Sequence, residues 1–197
     1  MVHFPDWETL PYDIASPHQD IVSERLSTLY RLPDLTNGIL ALSIPTLMMR
    51  IAPRDYLEAS SLILAVDDSL DLKKMRQRLA IAGYRVVGQV MEHGEFPMTE
   101  KAIEHFRASW RGHFPGNPTE SLLYRDISNG VAPSGIEYYL PLFFDATATL
   151  FDYLPVDALI MIGGDALSIA ETFKEEVRER FEQRQHDQQF QSGRKVS

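Results

Sequence analysis

Three short, uncharged apolar runs, each closed by turn residues, constrain this 197-residue chain more than any other feature. Gly38–Ser43 follows Asn37 and is shut by Pro45. Ser61–Val66 ends on Asp67-Asp68, and Ala158–Ile162 ends on Gly163-Gly164. Continuous apolar runs of this length are the pattern of strands buried on both faces. Between the first two, Pro45–Ile51 opens on proline as a short helix and Pro53 restarts another turn. Strand, helix and strand at this spacing predict a right-handed crossover, and so a parallel sheet. The expectation is an α/β fold with three buried parallel strands.

The chain enters this sheet through Val2-His3-Phe4, a β-like start. Phe4–Asp13, with two prolines and Trp7 between acids, follows as an extended segment. Ser16 and Gln19 have capping-box spacing and Pro17 suits a first helical position, so a helix is expected from there to Pro33. Its apolar face is Ile21, Val22, Leu26, Leu29 and Tyr30, opposite Glu24, Ser27, Thr28 and Arg31.

Downstream, Asp71–Ala82 has helical spacing with Lys73, Lys74, Arg76 and Arg78 around it, and Gly83 ends it. Tyr84–Val90 is a strand candidate and Met91–Glu95 a turn. Thr99–Gly112 is helical, with Ala102, Ile103, Phe106 and Trp110 on one face. A loop at Phe114–Pro118 leads to a helix from Thr119 to Ser128, stopped by Asn129-Gly130. Gly135–Phe144 is aromatic-rich and fits strand or helix equally. Asp165 can cap a last helix with the stripe Ala166, Ile169, Ala170, Phe173, Val177 and Phe181. The polar stretch after Gln183 is expected to be a disordered tail.

Composition narrows the function classes. No apolar run is long enough to span a bilayer and no signal region follows Met1, so a cytoplasmic protein without a membrane partner is expected. The absence of cysteine excludes disulfides and thiolate metal sites. A formal net charge of −9 repels phosphate backbones, so DNA affinity is expected to be weak at most and a protein partner is favoured.

Several residues invite chemistry and are better read as structure. Gly163-Gly164, between strand and helix, stands where α/β proteins cradle phosphate. The lysine and hydroxyl of a phosphate loop are missing from the chain, so a tight turn is expected and no cofactor. Asp67-Asp68 at a strand end reads as a solvated terminus. The histidines (His3, His18, His93, His105, His113 and His186) do not have zinc-ligand spacing, with His18 expected at a helix start and His93 in a turn. Trp7, Tyr12 and Tyr30 are interleaved with Asp6, Glu8 and Asp13, the wrong sign for base stacking, so packing of the opening segment onto the sheet edge is expected. Arg85 is either an interface anchor or a charge guarding an edge strand.

The run Asp6–Asp13, followed by Ser16–Asp20 and Arg25–Tyr30, resembles the amino-terminal module of the bacterial transcription-repair coupling factors (Mfd), itself similar to the excision-repair protein UvrB. The likeness continues through Gly83–Arg85, Gln89–Glu95, Phe96-Pro97, Ala102–Glu104, Gly135–Tyr138, Pro141–Phe144 and Arg180–Glu182. It implies an incomplete RecA/helicase-like parallel sheet flanked by helices, like UvrB domain 1, with a remnant of a β-rich insertion domain. The corresponding boundaries are 1–70 and 96–184 for the two parts of domain 1, 71–95 for the remnant of domain 2 and 185–197 for the tail. It also implies a non-catalytic role in transcription-coupled nucleotide excision repair, with UvrA as partner and Arg85 as the matching contact position.

Departures from the family pattern sharpen this reading. The opening strand and phosphate-loop remnant have no match before Met1. Glu95 runs directly into Phe96-Pro97 where most of domain 2 belongs. Only Ile14 and Ala15 lie between Asp13 and Ser16, too few for the β-hairpin with which UvrB holds damaged DNA. Such losses open sheet edges, so a marginally stable fold that self-associates through them is expected. The alternatives are a nucleotide-dependent translocase or helicase-type ATPase activity, with a cryptic site at Gly163-Gly164, and a DNA-contacting module.

Overall fold

The computed structural model describes residues 1–13, 15–60, 71, 73 and 98–193. Its sheet has two strands, β1 (Val2–His3) and β2 (Leu40–Ala41), paired in parallel with Val2 opposite Leu40 and His3 opposite Ala41. Val2 N–H donates to Ile39 O (2.8 Å) and Phe4 N–H to Ala41 O (3.0 Å). An α/β arrangement with a small parallel sheet is therefore present, but its pair is β1 with β2; the second strand of the expected crossover, Ser61–Val66, lies outside the described residues. The run Gly38–Ser43 supplies β2, but as a half-buried two-residue strand with Ile39 exposed rather than a buried central one.

Helix α1 spans Gln19–Arg31 and passes into a 3-10 turn at Leu32–Asp34. Its cap is His18, whose Nδ1 accepts from Asp20 N–H, and not the expected Ser16. Ser16 is taken up elsewhere: its hydroxyl donates to Glu137 and accepts from Gly135 N–H. The inward face also differs from the apolar stripe. Arg25, Thr28 and Leu29 are buried, whereas Tyr30 is exposed. Burial follows the partner the helix meets, and here the partner is an aromatic segment that accepts a cation.

Helix α2 (Ile44–Met48) is capped by Ser43, whose Oγ accepts from Thr46 N–H, and α3 (Arg54–Ser60) follows Pro53. Ile51 and Ala148 exchange backbone bonds of 2.9 Å as an isolated antiparallel bridge. Helix α4 (Glu100–His113) starts at Thr99 and buries Phe106 and Trp110, as its periodicity predicts. The single helix expected over Thr119–Ser128 is broken into a 3-10 turn, Pro118–Glu120, and α5 (Leu122–Ser128), because Ser121 is extended and caps α5. The ambiguous aromatic segment is a 3-10 helix, Ile136–Phe143.

Two buried clusters result. Phe4, Leu29, Leu32, Ile51, Leu57, Ala148, Leu150 and Tyr153 form one, joining the amino-terminal part of the chain to residues 148–153. Phe106, Trp110, Tyr124, Ile127, Ile136, Leu142 and Phe143 form the other, where α4 packs on α5 and on the 3-10 helix. The last helix, α6 (Ala166–Gly193), packs against α2. Its inward residues include Ala166, Ala170, Phe173, Val177 and Phe181, while Ile169 is exposed.

Two expectations are corrected. Ala158–Ile162 is not a buried strand: it has irregular backbone and is solvent-exposed. Strand propensity expresses fit to a pleated, half-covered surface, and no described strand lies alongside to provide one. The polar stretch after Gln183 is helical as far as Gly193, since Gln, Glu and Arg are good helix formers and polarity alone does not end a helix. The expected strands Ser61–Val66 and Tyr84–Val90 and the helix Asp71–Ala82 lie outside the described residues, Asp71 and Lys73 apart. Among the described residues no helix is long and apolar enough to cross a membrane.

Candidate functional site

Among the described residues, the opening segment 4–13, together with Ser16, is a well-defined assembly of polar and aromatic groups. It is bound at three places. At the first, Arg25 rises from α1 to lie 4.2 Å from the Phe4 ring centre and 4.0 Å from that of Trp7, and its Nη1 donates to Pro5 O at 2.6 Å. A buried guanidinium between two π faces, with a carbonyl accepting from its edge, is a strong local anchor. At the second, Asp6 accepts from the Ser43 hydroxyl (3.1 Å), joining the segment to the cap of α2.

The third place is the 3-10 helix Ile136–Phe143. Thr9 and Tyr138 share a hydroxyl–hydroxyl bond, and the Tyr12 ring lies among Tyr138, Tyr139 and Phe181 with centroid separations of 6.3, 6.0 and 5.5 Å. Arg184 of α6 donates from Nε and Nη2 to Tyr12 O at 3.0 and 2.9 Å. Those bonds hold Tyr12 at φ 61°, a left-handed backbone unusual for an aromatic residue; Glu8 is similar at φ 56°. Burial pushes the hydroxyls of Tyr12, Tyr138 and Tyr139 above the ordinary phenol value. Burial also raises the Glu137 carboxyl, partly offset by its backbone hydrogen bond and by the Ser16 hydroxyl 3.1 Å away.

This arrangement holds the segment and leaves its aromatics occupied. The Trp7 ring is covered by Arg25, and that of Tyr12 packs among three other rings. The expected packing of the opening aromatics is thus present for Trp7 and Tyr12, with the difference that they meet α1, the 3-10 helix and α6. Tyr30 takes no part and is exposed.

Of the other sites expected from sequence, Arg85, Asp67-Asp68 and His93 lie outside the described residues. Gly163-Gly164 is an exposed turn before α6, with Gly164 at φ +64° and nothing within 4 Å of an added Cβ at either glycine. His105 is 3.5 Å from Asp145, and His113 Nδ1 is 2.8 Å from Ser109 O in its own helix. Among the described residues no three His, Asp or Glu side chains gather as a metal cluster would.

Arg25 was missed by sequence reasoning that sorted α1 into apolar and polar faces. The available signal was its spacing of three, four and seven residues before Thr28, Leu29 and Leu32, with aromatics waiting in the preceding segment.

Comparison with known proteins gives a consistent answer. No family model matches the chain. The transcription-repair-coupling factor of Haemophilus influenzae is 37% identical over 242 residues, covering 93% of this chain and 21% of that protein. That of Escherichia coli is 35% identical over 240 residues, again covering 93% of this chain and 21% of the relative. That of Rickettsia typhi is 22% identical over 207 residues, covering 77% and 18%. The chain spans about a fifth of the length of these curated relatives. The first two aligned stretches are longer than the chain's own 197 residues, so the relatives carry positions there without a counterpart in it.

Proposed function

As a homologue of the transcription-repair-coupling factors over nearly its whole length, this chain is, we propose, a UvrB-like module of transcription-coupled nucleotide excision repair that recruits UvrA and catalyses nothing itself. The observation that carries this reading is the match at better than a third identity across 93% of the chain. The surplus length of the aligned relatives supports a segment reduced in this chain, which this reading places at residues 71–95 as the remnant of a β-rich insertion. Within that remnant Arg85 is the residue assigned to the UvrA contact, because a planar five-donor group suits a recruitment interface. The cytoplasm is its place of action.

The geometry of the opening segment supports recruitment over lesion gripping. Base-stacking uses exposed π faces; Arg25 lies over the ring of half-buried Trp7, and Tyr12 packs among neighbouring rings. The net charge of −9 acts in the same direction.

A pull-down on immobilised UvrA tests the reading. The chain should be retained and Arg85→Glu lost. Failure of both, or equal retention of both, counts against it. Calorimetry with ATP should show no binding; a saturable heat would instead favour a nucleotide site at Gly163-Gly164.

A further inference from the structure

The turn that ends the opening segment takes a form its sequence does not favour. Asp13 N–H donates to Leu10 O at 3.0 Å, closing a four-residue turn with Pro11 and Tyr12 at its centre. Proline fixes φ at about −65°, and Tyr12 follows at φ 61°. Negative then positive φ is a type II turn, whose third position ordinarily belongs to glycine or asparagine. A tyrosine there carries a backbone cost that its contacts must offset.

The contacts on its backbone come from α6. Arg184 donates from Nε and Nη2 to Tyr12 O, and Phe181, three residues earlier on the same face, lies 5.5 Å from the Tyr12 ring. Two charge-assisted bonds to one carbonyl are strong for a contact between chain segments. The 3-10 helix holds the same ring less closely, at 6.0 and 6.3 Å from Tyr139 and Tyr138.

The helix for its part is lightly tied. Within residues 166–184 only Ala166 is buried; Ala170, Phe173, Val177, Phe181 and Arg184 are half-buried. Residues 156–165, which lead into it, are all exposed. Gly163 and Gly164 in that connector have nothing within 4 Å of an added Cβ, so rotation there meets no obstacle. An element with few buried side chains and an exposed connection opens before the core does.

We propose that Tyr12 is a latch: the turn Leu10–Asp13 and α6 dock and release as one unit, α6 swinging on its exposed connector while Phe4 and Trp7 stay clamped on Arg25. Docked, Arg184 and Phe181 offset the cost of the left-handed tyrosine. Released, the turn relaxes and α6 loses the packing from which most helical stability comes. The coupling is reciprocal, as any coupling between two equilibria must be. This inference concerns the chain's own conformations and does not rest on the repair reading.

Hydrogen exchange of the whole chain, followed by NMR where exchange reports the opening equilibrium, tests this at three amides: Asp13 in the turn, Phe181 in α6 and Trp110 in α4. Arg184→Gln removes the two charge-assisted bonds and should speed Asp13 and Phe181 by the same factor, about tenfold, with Trp110 unchanged. Tyr12→Ala attacks the latch from its other half and should speed Phe181 in turn. A faster Phe181 beside an unchanged Asp13 in Arg184→Gln overturns the proposal, because turn and helix then open separately. So does an equal acceleration of Trp110, which is general destabilisation, or a Phe181 amide that neither variant affects.

Discussion

At the scale of single residues, the molecule relies on a few buried polar groups whose partners are well defined. Tyr153 is packed in the first cluster with its hydroxyl donating to Ala52 O at 2.8 Å, and burial pushes its pKa up to about 12. Tyr153→Phe should cost about 1 kcal/mol in urea unfolding, by leaving that carbonyl without its donor. The neutral phenol is the form the fold favours. Its contribution is complete below the ordinary value of 10.0 and is lost as pH rises toward about 12, so the parent's advantage over the non-titrating variant should shrink above pH 10 and reverse in stronger alkali. Glu137 follows the same sign at acid pH. Burial holds its pKa above 4.5, so the folded state binds the proton more tightly than the unfolded chain and loses stability as pH climbs through 4.5 and above. Glu137→Gln keeps an oxygen for the Ser16 hydroxyl and removes the charge. It should match the parent near pH 4 and exceed it in stability at pH 7, read from urea midpoints at the two values. Arg25→Ala should be the most damaging of these changes, at about 3 kcal/mol, since it removes a charged hydrogen bond and the filling between two rings together.

At the scale of elements, helices were legible where one periodic face meets one partner. The stripe Ala102, Ile103, Phe106 and Trp110 places α4, expected over Thr99–Gly112, within a residue of its observed limits, with Thr99 as its cap and not its first residue. They were less legible where the partner decides. Nothing in the spacing of α1 says that Arg25 belongs inside and Tyr30 outside; that depends on Phe4 and Trp7 folding back over the helix. The aromatic run Gly135–Phe144 was undecidable because Pro141 and a continuous apolar pattern disfavour both regular forms, and a 3-10 helix is the outcome. Gly135, at φ +81°, opens that helix and gives its N–H to Ser16, drawing away the residue that seemed to be the cap of α1. Ala158–Ile162 shows the converse limit: a strand-like run needs a neighbouring edge, and composition cannot supply one. The opening segment was legible as an aromatic strap, but its partners on the 3-10 helix and on Arg184 lie more than a hundred residues away. One element-scale prediction concerns Ser43, which caps α2 and also donates to Asp6. Ser43→Ala should cost about 1 kcal/mol in thermal or urea unfolding. Asp6→Ala should cost less, because the cap survives it.

At the scale of the whole molecule, the question is whether two hydrophobic clusters unfold as one. The first joins residues 4–57 to residues 148–153, and the second is made by α4, α5 and the 3-10 helix. Rings from the amino-terminal part of the chain reach aromatics packed against the second cluster at two places: Tyr12 against Tyr139, and Tyr56, the neighbour in sequence of Leu57 in the first cluster, against Phe144 at 5.0 Å. The chain contains two tryptophans, and each reports on a different region, Trp7 beside Phe4 of the first cluster and Trp110 inside the second. Fluorotryptophan labelling followed by fluorine NMR in urea therefore reads both at once. Through-ring coupling of this kind is worth about 0.5–1.5 kcal/mol per pair beyond the area buried, enough to keep two small cores in step. The two resonances should lose intensity with one midpoint in the parent chain. In the double variant Tyr12→Ala, Tyr56→Ala the midpoints should separate, with intermediate populations in which one tryptophan is native and the other is not. A single shared midpoint in that variant would mean that backbone connections such as the Ile51–Ala148 bridge carry the cooperativity instead.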